Sequence, residues 1–151
     1  MVGGAAAGSE DLAAAFSVGA TLASLGAVVV CGGLGGVMEA ACRGAKSAGG
    51  TTVGVLPGRS AVDANPYVDV AVPTGLGELR NGLVVAAGAA VIAIGGEYGT
   101  LSEIALALRA GKPVVGVRTW TLTRPSGSLD EGIVAVDAPE AAAHLAVALA
   151  E

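Results

Sequence analysis

The stretch Ala90–Leu108, AVIAIGGEYGTLSEIALAL, decides the fold. Its first run, Ala90 to Ile94, has the length and apolar content of a strand buried on both faces. Two glycines close that run. A helical pattern follows from Thr100 to Arg109, ending at Gly111 with Pro113 beyond. The same unit recurs upstream at Val28–Met38. There GAVVVC passes through Gly32-Gly33-Leu34-Gly35-Gly36 into a helix from about Val37 to Ala48. Strand, glycine turn and helix in succession predict an α/β fold, Rossmann-like and doubly wound, with a mostly parallel sheet between helices.

The remaining segments fit that alternation. Ser9 to Leu25 reads as a helix with Ser9 as N-cap and Glu10 and Asp11 in its first turn. TTVGVL and YVDVAV read as strands, the second with Pro73 after it. Leu76 to Ala87 has a helical pattern despite Gly77 and Gly82. VVGV and GIVAV are further strands, and Pro139 to Ala150 is a helix with proline at its first turn. MVGG at the start resembles the tail of a strand only two or three residues long. Arg124 to Glu131 reads as a mobile polar loop. With no linker or charge block, residues 1–151 are expected to form one domain.

Composition narrows the function. Aromatic residues make up 3% and charged residues 14% of the 151 residues, so the core must be filled by Val, Ile, Leu and Ala. The charged fraction lies well below the ~25% usual for soluble domains. So little charge predicts that part of the surface is covered by another copy, in a homodimer or homotetramer. The net charge of −5, with eight scattered basic residues, disfavours nucleic acid as a partner. No run approaches the ~18 apolar residues of a membrane span, so no membrane partner is expected. The start lacks a basic n-region, and Cys31 and Cys42 lack metal-like or redox-like spacing, which predicts reduced thiols, no metal and a cytoplasmic location.

Chemistry concentrates on the two glycine loops, which lie at the carboxyl ends of strands, where such sheets bind ligands. In the first loop, Gly32, Gly33 and Gly36 allow a close backbone approach, and the helix behind offers free N–H groups to an anion. The loop departs from the dinucleotide fingerprint, because Met38 stands where the third glycine would be, and no P-loop lysine follows. In the second loop, Gly95, Gly96 and Gly99 precede Thr100, whose hydroxyl can bond a phosphate or cap its own helix. Thr100-Leu101-Ser102-Glu103 matches a capping box, so Glu103 reads either as a cap or as a carboxylate facing a ligand. Arg80 is a candidate anion partner, with Arg59 second; Asn81 can hydrogen-bond a base or ribose. Trp120 can stack on a base or line an interface. His144 is expected to be exposed on the last helix.

Four segments together, CGGLGGVMEAACRGA, LPGRS, ELRNGLVV and GGEYGTLSEIALALRAGKPVVGV, resemble the LOG superfamily. That superfamily is also labelled lysine decarboxylase-like. It includes cytokinin-activating phosphoribohydrolases and molybdenum cofactor carrier proteins. Its hydrolases carry Pro-Gly-Gly-x-Gly-Thr-x-x-Glu. Gly95 stands at the proline and Glu97 at the second glycine, whereas Gly96, Gly99, Thr100 and Glu103 match. The hydrolases' arginine falls on Arg80, with Asn81 replacing the lysine that usually follows. The resemblance implies that Gly96, Gly99 and Thr100 bind a nucleotide phosphate and that Arg80 and Glu103 are catalytic. The losses of proline and lysine move the chain toward the shorter, carrier-like branch, and Glu97 would repel a phosphate unless it points away. Pyridoxal phosphate chemistry is not expected, because neither Lys46 nor Lys112 sits in a recognisable cofactor pocket; no cofactor is implied.

Two functions follow from this reading. One is a nucleoside 5′-monophosphate phosphoribohydrolase, in which water attacks C1′ and a carboxylate stabilises the oxocarbenium-like transition state. The alternative is a non-catalytic carrier or binding protein for a small phosphorylated ligand such as molybdenum cofactor.

Overall fold

The apolar runs become strands that all pair in parallel. In the computed structural model, which describes residues 1–150, they are β1 (Val2–Gly3), β2 (Val29–Cys31), β3 (Thr52–Leu56), β4 (Val70–Pro73), β5 (Val91–Ile94), β6 (Val114–Val117) and β7 (Ile133–Ala135). The helices between them are α1 (Ser9–Ser24), α2 (Val37–Ser47), α3 (Asn81–Ala87), α4 (Tyr98–Arg109) and α5 (Pro139–Ala150). One ladder runs β1-β5-β6-β7 and another β2-β3-β4. The Met1 nitrogen donates to the Val30 carbonyl at 2.9 Å and seats β1 beside β2. The strands therefore follow the order β4-β3-β2-β1-β5-β6-β7.

The chain moves outward from β1 to β4, then crosses to β5 on the other side. The order reverses at β1, which places a ligand crevice above the carboxyl ends of β1, β2 and β5. Every residue of β5 and β6 is buried, as strands covered on both faces require. Helices α1, α2 and α5 cover one face around Val18, Cys42, Ile94 and Ala143, while α3 and α4 cover the other around Val85, Ala93 and Ile104. Small residues bring α1 and α2 together. A Cβ on Gly19 would strike the Ala41 carbonyl, and one on Gly44 the Phe16 carbonyl.

Three local expectations need correction. Helix α4 begins at Tyr98 with Glu97 as N-cap, so Thr100 lies inside the first turn and the capping box does not form. Helix α1 has Gly8 as its N-cap, and Ser9 is already helical. The segment Leu76–Ala87 is not one helix: Gly77–Arg80 forms a 3₁₀ turn before α3 starts at Asn81. Gly77 has φ 57°, which an α-helix cannot hold. Pro73 closes β4 from within, as an edge strand permits. The polar loop after β6 is pinned by the Thr123–Leu129 bridge and by Arg124 Nε to Asp130 Oδ2 at 3.1 Å.

Candidate functional site

At the reversal point a cavity of about 340 Å³ opens at the carboxyl ends of β1, β2 and β5. Gly32 and Met38 come from the first glycine loop and its helix, Gly99, Thr100 and Glu103 from α4, and Arg80 and Asn81 from the α3 start. The 3₁₀ turn explains how Arg80 arrives there. It ends the loop after β4 tightly enough to tuck the arginine inward, and Arg80 is only 8% exposed. Its guanidinium lies over Gly32, where a Cβ would stand 2.5 Å from Nη2.

Arg80 and Glu103 face each other inside the cavity, with Nη1 3.9 Å from Oε1. Glu103 is 7% exposed and makes no hydrogen bond among the described residues. Arg80 Nε is buried and also lacks a partner. Arg80 Nη1 donates to the Asn81 carbonyl oxygen of the side chain, and Asn81 Nδ2 donates to Ser102 Oγ at 3.0 Å. Burial pushes the Glu103 carboxyl up to about 7, and the positive charges of the Met1 amine and Arg80 only partly oppose it. The Arg80 guanidinium and the Glu103 carboxylate line one cavity as a buried ion pair, so a ligand carrying an acceptor and a donor can engage both.

Helix ends add to the polarity. Helices α1, α2 and α4 all start at this end of the sheet, and none has a side-chain cap. Their N–H groups and positive dipole ends favour an anion. Glu97 opposes that preference, because its side chain also lines the cavity.

The predicted site residues divide into two groups. Gly32, Met38, Arg80, Asn81, Gly99, Thr100 and Glu103 line the cavity together. Gly33, Gly36, Gly95 and Gly96 do not. Gly36, at φ 66°, fits against the Gly4 and Ala5 carbonyls, which leave no room for a Cβ. Gly33 packs on Leu56 and Gly54, and Gly95 and Gly96 line a separate hollow beside Trp120. Arg59 is exposed and lies against Gly75 rather than in the cavity. His144 is exposed on α5. Glu78 and Pro57 line the cavity without having been singled out; the signal for them was their place in the segments ELRNGLVV and LPGRS beside Arg80 and Arg59. Under the first loop the Cys31 and Cys42 sulfurs lie 3.5 Å apart, both buried and unbridged. Hydrogen bonding from Cys42 holds the Cys31 thiol down to about 7 and pushes Cys42 up.

An apolar cavity of about 210 Å³ lies at the opposite, amino end of the strands, between Leu22, Val28, Val30 and Ile92. It carries no ionisable side chain and so offers no chemistry. Among the described residues no helix is long and apolar enough to cross a membrane, and no three His, Cys, Asp or Glu side chains gather as a metal cluster.

This geometry agrees with what the chain is similar to. The model of the SLOG cluster4 family matches residues 1–143. The chain belongs to the SLOG cluster4 family. An uncharacterised relative from Archaeoglobus fulgidus is 37% identical over 147 residues, covering 97% of this chain and 92% of its own. Two solved structures show the same SLOG fold over nearly the whole length. The molybdenum cofactor binding protein from the phototrophic bacterium Rippkaea orientalis superposes with a TM-score of 0.88 at 34% identity, covering 99% of this chain and 94% of that one. The molybdenum cofactor carrier protein from Chlamydomonas reinhardtii gives 0.83 at 36% identity, with the same 99% and 94% coverage. The Rossmann-like α/β architecture is thus established for this SLOG chain, which is similar over nearly its whole length to two molybdenum cofactor proteins.

Proposed function

We propose that this protein holds a small phosphorylated ligand, of the molybdenum cofactor type, in the Arg80–Glu103 cavity and releases it unchanged. The observation that carries the proposal is the buried Arg80–Glu103 ion pair lining the cavity beside the uncapped start of α4. Arg80 supplies a fixed positive charge for the phosphate, and the free N–H groups of Gly99 and Thr100 lie at the start of the same helix. Glu103 accepts from N–H or O–H groups of the ligand. The likeness to two molybdenum cofactor proteins supports carriage over turnover. So does Glu97, an anion where the resembling hydrolases place a glycine.

A second reading has one observation in its favour. A carboxyl at about 7 beside an arginine is poised for proton transfer at neutral pH, as a phosphoribohydrolase acting on nucleoside 5′-monophosphates would need. On that reading Glu103 orients water or holds the ribose, and Arg80 positions the substrate.

Calorimetric titration with a phosphorylated pterin and with nucleoside 5′-monophosphates tests the first reading. Micromolar binding that weakens about 10- to 100-fold in Arg80→Ala is expected, since a charge-assisted hydrogen bond contributes about 1.5–3 kcal/mol. No heat with any of these ligands at millimolar concentration would contradict it.

A second copy of the chain is part of this proposal. Leu79 is 82% exposed, and Leu83 and Leu106 also stand open on the α3–α4 layer. An apolar patch of this kind is suited to a homodimer or homotetramer contact. The two reduced thiols suit a cytoplasmic chain.

A further inference from the structure

The second glycine loop has two sides. Glu97 faces the Arg80–Glu103 cavity, whereas Gly95 and Gly96 wall a separate hollow of about 270 Å³ with Arg118, Thr119 and Trp120. The backbone there is unusual. Arg118, directly after β6, is the only non-glycine among the described residues with positive φ, at 53°. Strain of this kind persists only where the surroundings enforce it, and it concentrates at ligand sites. Its effect here is to turn Thr119 and Trp120 back toward the loop. A Cβ on Gly96 would lie 2.7 Å from Trp120 Nε1 and 3.3 Å from Thr119 Oγ1, so only glycine permits this approach.

Two polar groups in the hollow are left without partners. Thr119 Oγ1 and Trp120 Nε1 are both buried and make no hydrogen bond. Buried donors of this kind are rare, because most find a partner in the chain or in a bound molecule. Tyr98 adds an aromatic face: its ring lies 5.9 Å from that of Trp120, tilted by 33°, and is 82% exposed. The charge is unfavourable to an anion. Glu10 and Asp11 both pair with the Arg118 guanidinium, and Glu97 stands at the neighbouring helix start.

We propose that this hollow is a subsite for an uncharged planar heterocycle with in-plane acceptor atoms, held by the Thr119 hydroxyl and the Trp120 indole N–H and flanked by Tyr98. The proposal rests on the phosphorylated-ligand reading, which it deepens: the phosphate occupies the α4 start and the ring lies across the glycine loop. Thr119 and Trp120 then determine specificity for the ring rather than for the phosphate.

The chain contains one tryptophan, so a nitrogen–proton correlation spectrum shows a single indole resonance. The probes are adenosine and guanosine, which carry no phosphate, with inorganic phosphate in a parallel titration. Millimolar nucleoside should move the indole signal downfield, and inorganic phosphate should not. Thr119→Val, which keeps the shape of the side chain, should weaken the nucleoside response at least fivefold. Gly96→Ala should weaken it further. The phosphate-free nucleosides separate the two readings, because phosphate binding can fail while the ring still binds. An indole signal that neither nucleoside moves would overturn the proposal. So would a response to inorganic phosphate alone, or one undiminished in Thr119→Val.

Discussion

At Glu103, burial raises the carboxyl to about 7 from an ordinary value near 4.5, and this has a consequence for stability. The folded state holds its proton more tightly than the unfolded chain does. Stability is therefore fully present below about pH 4.5 and is lost as pH rises through about 7. The shift corresponds to roughly 3 kcal/mol at 1.36 kcal/mol per unit. Glu103→Gln, which imitates the protonated form, should be more stable than the parent at pH 8 by about 1–3 kcal/mol and equal to it near pH 4. Urea denaturation at the two pH values measures this, and equal stability at pH 8 would show that Glu103 is not strained by burial. Glu97 yields a second prediction. Glu97→Gly removes an anion from the cavity wall and should tighten binding of a 5′-phosphate several-fold in calorimetry. It should also cost a few tenths to 1 kcal/mol of stability, since an acidic residue suits a helix start. Spacing drew attention to Glu103 and Arg80, but could not choose between cap and site. The choice depends on α4 starting at Tyr98, two residues before Thr100, which the glycines obscured. Trp120 was legible only as a residue that stacks on a base or lines an interface, because its orphaned N–H depends on the strained turn at Arg118.

Among the elements, α1 and α2 make the tightest contact, and glycine sets it. The Cβ positions of Gly19 and Gly44 are occupied by the partner helix backbone. Flexible side chains cannot yield there, because carbonyl groups fill the space. Gly44→Ala should therefore lower the thermal midpoint by the equivalent of about 1–3 kcal/mol or more, despite alanine's better helix propensity. A thermal scan that shows Gly44→Ala unchanged or stabilised would mean the helices can separate freely. The strands were readable because the buried runs VIAI and VVGV are continuous and bounded by glycine or proline. Even the two-residue β1 was legible as a strand tail. The start of α3 was not, since a periodic apolar pattern cannot separate a 3₁₀ turn from the first turn of a helix. That turn matters to the site, because it carries Arg80 inward.

For the whole molecule, the low charge and the open α3–α4 layer point the same way. Leu79→Glu should move the protein from a dimer or tetramer to a monomer by light scattering, with its helical content unchanged. A parent chain that already scatters as a monomer would remove the second copy from the account. The doubly wound order also fixes where ligands can bind. Both hollows lie on the carboxyl side of the sheet, one on each side of the loop Gly95–Glu97. The fold could be read from alternating strands, glycines and helices. Turnover could not, because it depends on how one buried carboxyl meets its ligand. The most direct measurement is chromatography of the protein after incubation with a phosphorylated pterin and a panel of nucleoside 5′-monophosphates, assaying both retained ligand and free base. The account predicts intact ligand retained with the parent chain, lost in Arg80→Ala, and no free base. Free base released by the parent but not by Glu103→Gln would contradict it and make the protein a phosphoribohydrolase.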